Sequence, residues 1–341
     1  MAWRTRLRGD PLPWLCEPDP ANPGVRYFAL RDLLDRPADD PGVLEAQAAI
    51  MLDGLVPAIL AAQHPDGYWE RPGSAYGKYR STLWQIMFLS DLGADPNDAR
   101  VRLGCDYLLR HSVASNGGFA FFTKTPNPSG VVHCLNGNVL AALIRLGWLE
   151  HPRVQQALEW QARAITGEAP IQYMPSGTSG PEFACAINQQ QPCAWGATKA
   201  MRALLAVPPG RRAQIVRRAL ERGAQFLLRY DLARATYPYT KKVSAAWFKL
   251  GFPLSYWSDI LETLAALVAL GYGQDPRLAQ ATDWLLSKQD ARGRWKLEHG
   301  LNGKMWVDIE HHGKPSKWIT LRALRVVKAL SDGTAPRAPQ P

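Results

Sequence analysis

The fold of this chain is decided by the stretch QHPDGYW at residues 63–69, which has the pattern Gln-x-x-Asp-Gly-x-Trp. The pattern returns near the far end as QDARGRW at residues 289–295, where Gln, Gly and Trp keep the same spacing. A shorter copy, NGGF, lies between them at residues 116–119. Because a turn sequence that recurs along a chain marks a repeated structural unit, the sequence predicts a repeat protein.

Each defining position of this turn pattern has a physical role. The Asp-Gly pair supplies a left-handed backbone position, and the Gln that closes the preceding helix can bond the freed carbonyls. The Trp can pack its ring against the same helix end. We therefore expect each copy of the turn to fasten two helices together.

Length and composition fit one large domain. The chain has 341 residues, of which 46% are hydrophobic, and this is ample for a sizeable core. We predict an N-terminal extension at residues 1–24 and a single domain at residues 25–330. Residues 331–341, rich in Pro, Ala and Gly, are predicted to form a disordered tail.

Charge, cysteine usage and the N-terminal residues bear on partners and location. The net charge is +10, and five arginines cluster between residues 211 and 222; the solvated face of an outer helix explains them, so we expect no nucleic-acid partner. The first residues lack the apolar run of a signal sequence, and no stretch approaches about 20 uninterrupted apolar residues. Five cysteines fit a reducing compartment better than a disulfide framework. We therefore expect a cytoplasmic protein.

The apolar periodicity predicts two classes of helix and no alternating strand. Helices of the first class are apolar on nearly every side and are predicted at residues 26–34, 79–92, 134–146, 193–207, 254–270 and 317–330. Helices of the second class carry charge on one face and are predicted at residues 41–63, 101–111, 154–164, 213–229 and 277–289. Helices that are apolar all round belong inside a protein, and amphipathic helices belong outside.

The first and last inner helices resemble each other, since RYFALRDL at residues 26–33 aligns with KWITLRAL at residues 317–324. Six inner helices that alternate with outer ones predict an all-α fold, an (α/α)6 toroid of inner and outer helices around a central cavity. An open superhelix is the alternative. It would need polar terminal repeats, whereas these termini are apolar.

Through its Gln-Trp (QW) turns and helical hairpins, the chain resembles the terpenoid cyclase and protein prenyltransferase toroid superfamily, specifically bacterial proteins with prenyltransferase and squalene-oxidase repeats. The resemblance covers about residues 25–330. It implies a cavity open at one end of the ring, where the N-termini of inner helices surround an isoprenoid or similarly apolar small molecule. Peripheral contact with a membrane and the oligomeric state stay open.

One hypothesis is proton-initiated cyclisation of an isoprenoid by a squalene cyclase-like enzyme. Asp259 would donate the proton, with Glu262 and Tyr256 as further catalytic residues near the start of an inner helix. The superfamily's cyclases place this acid in Asp-x-Asp-Asp, which this sequence lacks, and Asp259 can equally be a helix-capping carboxylate. The aromatic residues expected to bind the substrate and stabilise a carbocation are Trp84, Trp195, Trp257, Trp306 and Trp318.

A second hypothesis is a zinc site, with zinc as the one candidate cofactor. Its ligands would come from Cys134, Cys193, Cys185 and His133, because thiolate and imidazole suit tetrahedral zinc and zinc activates a thiol as a nucleophile. Protein prenyltransferases and lanthionine cyclases resemble this in using zinc with Cys and His. The Asp before the prenyltransferase zinc Cys and the lanthionine-cyclase Cys-His-Gly element are both missing here. Core packing of the cysteines is the alternative.

Other features leave further alternatives open. The polar loop at residues 308–312 contains two histidines, suited to acid-base chemistry or simply to a solvated loop. Lys314 and Lys317 can meet a diphosphate, although no Asp-rich magnesium motif and no nucleotide fingerprint is present. A non-catalytic toroid that binds a lipid or a peptide is the third class of function. Among these alternatives the sequence favours the cyclase-like enzyme.

Overall fold

The computed structural model describes residues 2–73, 76–121, 126–168, 181–239 and 242–332. Over these ranges the regular secondary structure is helical, without a strand, and the predicted all-α class is confirmed. Isolated backbone pairs, such as Val113 with Phe119, occur in the loops. Most of the predicted tail lies outside the described residues, while Ser331 and Asp332 belong to the last helix.

The described residues form α-helices that follow the predicted order. They are α1 (Leu12–Cys16), α2 (Pro23–Phe28), α3 (Pro41–Leu52), α4 (Leu55–Ala61), α5 (Thr82–Leu92), α6 (Ala99–His111), α7 (His133–Arg145), α8 (Pro152–Thr166), α9 (Ala194–Ala206), α10 (Gln214–Leu228), α11 (Ile260–Ala269), α12 (Ala279–Ser287) and α13 (Lys317–Asp332). A π-helical turn, Ala29–Leu33, extends α2. The predicted inner segments correspond to α2, α5, α7, α9, α11 and α13.

Contacts between the inner helices follow a closed cycle. Helix α5 packs on α7, α7 on α9, α9 on α11, α11 on α13, and α13 on α2. Helix α2 contacts α5 at Gly24, which lies so close to the carbonyl of Leu92 that no side chain would fit there. An open superhelix would not bring the last inner helix onto the first, so this order of contacts is the one that a toroid requires.

The outer positions are taken by α3 with α4, α6, α8, α10 and α12. Helix α10 packs on α8 and α9 and buries Val216 and Leu220 on one face. Arg218 on its exposed face pairs with Glu168 at 2.8 Å. The apolar face fixes the helix to the ring, and this member of the arginine cluster forms a solvated ion pair.

The first outer segment differs from the expectation of a single helix over residues 41–63. It is divided into α3 and α4 because Gly54 adopts a positive φ of 72°, where a side chain would be strained. The same segment is not an uninterrupted apolar run, because Glu45 and Asp53 lie within it. By length and composition alone Pro41–Ala61 is apolar enough to cross a membrane, with a mean hydropathy of 1.6 and 33% of that window buried.

The first of the repeated turns is held by hydrogen bonds at both ends. Gln63 Nε2 donates to the carbonyl of Gly67 at 3.2 Å, which closes the turn. The indole Nε1 of Trp69 donates to the carbonyl of Ile59 at 2.8 Å, at the end of the preceding outer helix. The backbone N–H of Trp69 donates to Thr82 Oγ1 at 3.1 Å, at the start of the next inner helix. The turn therefore joins an outer helix to the inner helix that follows it.

The later copies of the turn repeat this arrangement. Trp295 Nε1 donates to the carbonyl of Leu285 at 2.8 Å, and its backbone N–H donates to Thr320 Oγ1 at 3.0 Å. In the short copy the backbone N–H of Phe119 donates to Asn136 Oδ1 at 2.9 Å, again on the following inner helix. At all three places a backbone N–H at the end of the turn donates to a side-chain oxygen on the inner helix that follows.

Residues near the N-terminus, expected to form an extension, pack into the ring of helices. Trp3 is buried, and its short 3-10 helix, Ala2–Arg6, contacts α13. The side chain of Gln289 accepts the N–H of Arg8 at 3.1 Å and donates to the carbonyl of Arg6 at 3.3 Å. In the first turn the side-chain amide of Gln63 donates instead to the backbone carbonyl of Arg100, at the start of the next outer helix. The N-terminal segment therefore occupies the place of an outer helix after the last turn.

Two inner helices begin later than predicted. Helix α5 begins at Thr82 rather than at residue 79, and α11 begins at Ile260 rather than at residue 254. In the second case Pro253 lies in the loop, and the side chain of Asp259 accepts the N–H of Glu262 as the helix cap. The loops that precede these helices carry aromatic residues at the N-terminal end of the inner layer.

Candidate functional site

Aromatic side chains meet at the N-terminal ends of α5, α9 and α11. The ring centroid of Tyr256 lies 6.4 Å from that of Trp84, 6.3 Å from that of Trp195 and 5.5 Å from that of Trp257. The structure therefore brings together three of the predicted substrate-binding tryptophans and one predicted catalytic tyrosine. They come from helix starts and preceding loops that are distant in sequence.

Two tyrosines that the sequence analysis did not select extend this group. Tyr79 lies 4.9 Å from Trp84 and 6.3 Å from Trp257, and Tyr76 lies 5.5 Å from Trp84. Burial raises the pKa of both phenols, so both stay protonated at neutral pH. Their position just before an inner helix was the available sequence signal. We define the aromatic cluster as Tyr76, Tyr79, Trp84, Trp195, Tyr256 and Trp257.

The other two predicted substrate-binding tryptophans lie elsewhere. Trp306 is 39% exposed, and its Nε1 donates to the carbonyl of Arg80 at 2.8 Å. Trp318 is buried, stacks on Phe252 at 4.6 Å between ring centroids, and donates from Nε1 to Asn22 Oδ1 at 2.9 Å. Trp318 thus fastens α13 to the residue that precedes α2, on the seam that closes the ring.

Asp259 is buried at the N-terminus of α11. Its Oδ1 accepts the N–H of Glu262 at 2.7 Å, and its Oδ2 accepts the N–H of Gly251 at 3.1 Å. Burial raises the pKa of Asp259, against the opposing effect of Arg322, whose guanidinium lies 3.6 Å from Oδ1. A Cβ on Gly251 would lie 3.5 Å from Nε1 of Trp257. Gly251 therefore lies between the carboxyl group of Asp259 and Trp257 of the aromatic cluster.

Glu262 belongs to a buried network of ion pairs. Lys199 Nζ donates to its two carboxylate oxygens at 2.7 and 2.6 Å, and Arg202 lies 3.8 Å from one of them. Arg202 also pairs with Asp91, which accepts from Arg145 at 3.1 Å. Burial lowers the pKa of Arg145 to about 9 and also lowers that of Lys199. The network joins α5, α7, α9 and α11, and its geometry makes Glu262 the partner of a lysine rather than a free acid.

Three cysteines converge at the starts of α7 and α9. The thiol of Cys193 donates to Cys185, and this hydrogen bond lowers the pKa of Cys185 to about 6 against the effect of burial. The same bond raises the pKa of Cys193. Cys134 is close enough to interact electrostatically with both, and burial raises its pKa to about 12. The sequence predicted these three residues as a group, and the structure places them near one another.

His133, the fourth candidate ligand, is engaged in the core. Its Nδ1 lies 2.7 Å from Nε2 of Gln161, and its ring contacts Trp160 and Phe183 at centroid distances of 5.9 and 5.4 Å. Within the part of the chain that the structure describes, no three His, Cys, Asp or Glu side chains are placed to hold a metal ion. The zinc site expected from Cys134, Cys185, Cys193 and His133 stays a prediction.

A histidine and a lysine lie at the outer edge of the aromatic cluster. The ring of His299 lies 4.2 Å from that of Trp257, and Lys78 Nζ lies 4.7 Å over the ring of Tyr256. Burial, followed by the charge of the nearby Lys249, lowers the pKa of His299. His299 therefore stays neutral at pH 7 and adds an amphipathic edge to the cluster.

The polar loop at residues 308–312 supports the last inner helix. Glu310 Oε1 accepts the N–H of Lys317 at 2.6 Å, and burial raises the pKa of Glu310. Lys317 Nζ pairs with Glu17 at 3.0 Å and with Asp19 at 3.1 Å. These contacts give Glu310 a capping role and engage Lys317, one of the two lysines considered for a diphosphate.

A cavity of about 290 Å³ lies in the outer layer, between α8 and α10. Its walls include Phe183 and Phe226 together with Arg222 and Arg229. This position is distinct from the central cavity expected at the N-terminal ends of the inner helices, which stays a prediction.

Comparison with known proteins gives similarity to solved structures only. No protein-family model matches the chain, and no curated protein matches it. The chain is similar to a variant of the type II terpene cyclase MstE from Scytonema in complex with merosterolic acid A, described as product. The identity is 16%, the TM-score is 0.43, and the match covers 92% of this chain and 86% of that one.

Two further structures extend this comparison. An MstE variant in complex with geranylgeranyl dihydroxybenzoate, described as substrate, has a TM-score of 0.41 at 16% identity and covers 92% of this chain and 86% of its own. A protein from Actinoplanes has a TM-score of 0.40 at 14% identity, with 91% and 90% covered. The structures to which this chain is similar thus include those of a type II terpene cyclase.

Proposed function

We propose that this protein binds an isoprenoid or similarly apolar molecule against the aromatic cluster and acts on it as a cyclase-like enzyme. The observation that carries the proposal is the convergence of Trp84, Trp195, Tyr256 and Trp257 at the N-terminal ends of three inner helices. Aromatic rings bind apolar chains, and their negative faces stabilise a cation. Both properties suit a polyene that becomes a carbocation.

Asp259 is the carboxyl group best suited to donate the initiating proton. Its burial raises its pKa, which favours the protonated form that a general acid requires. Each carboxyl oxygen has two lone-pair sites, and one backbone N–H occupies a single site on each, so Oδ2 retains room for a proton. Proton transfer to an alkene carbon would form a C–H bond from the π electrons and leave a cation beside the aromatic rings.

The proposal is tested by incubating the purified protein with squalene and with geranylgeraniol, followed by gas chromatography and mass spectrometry of the products. Binding is followed separately by quenching of tryptophan fluorescence. We expect the Asp259→Asn variant to bind the polyene and to form no cyclic product. Asn retains the side-chain oxygen that caps α11, so the fold should persist.

Glu310→Gln is the matched control. Glu310 is also a carboxyl group whose pKa is raised by burial, and it accepts the N–H of Lys317 at the start of a different inner helix, α13. This variant should keep the product of the wild-type protein. If Asp259→Asn forms the same product at the same rate, the acid role is wrong, and if the wild-type protein does not bind either polyene, the isoprenoid proposal is wrong.

A second candidate function, a non-catalytic carrier of an apolar ligand, is favoured by the hydrogen bonds of Asp259. Both of its carboxyl oxygens already accept backbone N–H groups, as a structural helix cap would. The same experiment separates the two functions. Saturable binding without product supports the carrier, whereas product that disappears in Asp259→Asn supports the enzyme.

A further inference from the structure

Charged side chains from all six inner helices meet inside the ring. We define the interior charge cluster by four cations and three carboxylates: Arg145, Lys199, Arg202, Arg325, Asp32, Asp91 and Glu262. Asp32 lies in the π-helical turn that extends α2, and the other residues belong to α5, α7, α9, α11 and α13. The cluster spans the ring, because the charge of Arg325 on α13 acts on Arg145 on α7, three steps away in the cycle of inner helices.

The pairing within the cluster leaves a surplus of positive charge. Asp91 pairs with both Arg145, at 3.1 Å, and Arg202. Glu262 pairs with Lys199 at 2.6 Å and has Arg202 as its second partner at 3.8 Å. Among the residues that the structure describes, three cations therefore share two carboxylates.

The surrounding ion pairs do not offset this surplus. Asp32, the partner of Arg325, also pairs with Arg31 at 3.1 Å, so its carboxylate is shared as well. The neighbouring pairs have one charge of each sign: Arg322 with Asp259 and Lys328 with Asp35. Neither of these pairs brings extra negative charge to the cluster.

The surplus charge is costly because the cluster is buried. Burial, followed by the charge of Arg202, lowers the pKa of Arg145 to about 9 in spite of the ion pair with Asp91, and Arg325 acts in the same direction. Nε of Arg145 and Nε of Arg325 are buried and donate to no acceptor in the described part of the chain. Oδ2 of Asp91 is buried without a donor, so the cluster lacks negative charge rather than acceptor atoms alone. An uncompensated buried charge destabilises a fold unless a partner supplies the counter-charge.

The partial negative charge at helix C-termini accounts for only part of the cluster. It favours cations in the last turn of a helix, and Arg145 is the last residue of α7. Arg325, however, lies about two turns before the end of α13, and its charge acts on Arg145 across the ring. The surplus is therefore a property of the cluster and not of separate helix ends.

We propose that the interior charge cluster binds a phosphate group, held by the guanidinium groups of Arg145, Arg202 and Arg325. Guanidinium groups present several N–H donors in a planar fork that matches the oxygens of a phosphate. The side chains of Arg145 and Arg325 keep 21% and 31% of their surface exposed, so an ion from solvent can reach them. This site is independent of the activity proposed for the aromatic cluster.

The direct test is isothermal titration calorimetry of the full-length protein with inorganic phosphate, at an ionic strength held constant with sodium chloride. We expect saturable binding of one phosphate with a Kd below about 1 mM. Arg145→Gln and Arg325→Gln should each raise this Kd at least about tenfold, because a charged hydrogen-bond donor is lost. Arg218→Gln is the matched control, since Arg218 pairs with Glu168 on an outer helix, and it should leave the Kd unchanged.

Both arginine variants leave every carboxylate of the cluster with a partner. Asp91 keeps Arg202 when Arg145 is replaced, and Asp32 keeps Arg31 when Arg325 is replaced. We therefore expect both variants to fold, as circular dichroism can verify. In thermal denaturation, phosphate should raise the Tm of the wild-type protein and of Arg218→Gln, because it binds the native state, and it should not raise that of either cluster variant.

A second titration identifies the source of the phosphate group. Farnesyl monophosphate that binds at least about tenfold more tightly than inorganic phosphate, and competes with it, supports a head group attached to an apolar chain. Equal affinities support the free ion. Either result retains the site, and farnesol, which lacks the phosphate, should not compete with inorganic phosphate.

Two results would overturn the proposal. One is the absence of saturable binding of phosphate to the wild-type protein at millimolar concentrations. The other is equal binding by the wild-type protein, Arg145→Gln and Arg325→Gln, which would mean an adventitious ion only, at the protein surface. If Arg145→Gln does not fold, the titrations of the wild-type protein and of Arg325→Gln still decide between these outcomes.

Discussion

Lys199 and Glu262 form a buried ion pair in which Nζ lies 2.7 and 2.6 Å from the two carboxylate oxygens. The pair joins α9 to α11 inside the ring of inner helices, and neither side chain has appreciable solvent access. Two charges in a low-dielectric interior are tolerated only when each neutralises the other. This relationship explains why an acidic residue lies one turn into an apolar helix.

The ion pair predicts a large effect of a single neutral substitution. Lys199→Met should lower the free energy of unfolding by about 3–5 kcal/mol, because it leaves the carboxylate of Glu262 buried, with only Arg202 at 3.8 Å. The double variant Lys199→Met/Glu262→Gln should be more stable than the single one, because no uncompensated charge remains. Urea denaturation measures both, and a single variant as stable as the wild-type protein would contradict this account.

Stability should depend on pH through Asp259. Its pKa is raised by burial above the value of about 3.9 expected in the unfolded chain. Between the two pKa values the native state binds the proton more tightly, so the contribution of Asp259 is greatest below about pH 4 and is lost as the pH rises through the folded pKa. The difference in free energy of unfolding between wild type and Asp259→Asn should therefore decrease from pH 4 to pH 7. A difference that stays constant over this range would show that the pKa of Asp259 is not raised.

The repeated turns at the two ends of the chain should contribute equally to the free energy of unfolding. Trp69→Phe and Trp295→Phe each remove an indole N–H that donates to a carbonyl at 2.8 Å. Each substitution should lower the free energy of unfolding by about 1–3 kcal/mol, because the carbonyl loses its indole donor and keeps only the longer bond from the N–H of Ala62 or Lys288. Trp306→Phe, at an exposed indole, should cost less than about 0.5 kcal/mol. Thermal denaturation compares the three, and a cost confined to Trp69 would refute the equivalence of the turns.

The attachment of the N-terminal segment should depend on the side chain of Gln289. Gln289→Ala removes the hydrogen bonds to Arg8 and Arg6, so hydrogen exchange of the backbone amides at residues 4–9 should become faster. Gln63→Ala is the matched control, since the same position in the first turn bonds to Arg100. Unchanged exchange in Gln289→Ala would mean that other contacts, such as those of Trp3, hold the N-terminal segment.

Much of the fold could be read from short-range patterns. The turn at residues 63–69 and its copy at 289–295 depend on Gln, Gly and Trp at fixed spacing, and the structure gives both the same hydrogen bonds. Inner and outer helices follow from the distribution of apolar residues along each segment. The position of the N-terminal segment did not follow, because Arg8 and Gln289 are 281 residues apart and no local pattern records that contact.

The candidate site could be predicted only in part. Trp84, Trp195 and Trp257 were selected because they lie near inner-helix starts, and the structure brings them together. Trp318 was selected by the same rule, yet its indole points to Asn22 on the closing seam. A position near a helix start specifies one end of the ring, but the rotation of the helix decides which neighbour the side chain meets.

The sequence by itself determined the all-helical class, the alternation of inner and outer helices and the repeated turns, because each depends on residues within one or two helical turns of each other. Only the tertiary structure decided that Glu262 pairs with Lys199, that Cys134 lies near Cys185 and Cys193, and that six aromatic residues form one cluster. Those relationships join elements far apart in the chain. Their geometry follows from the packing of whole helices, which local periodicity does not encode.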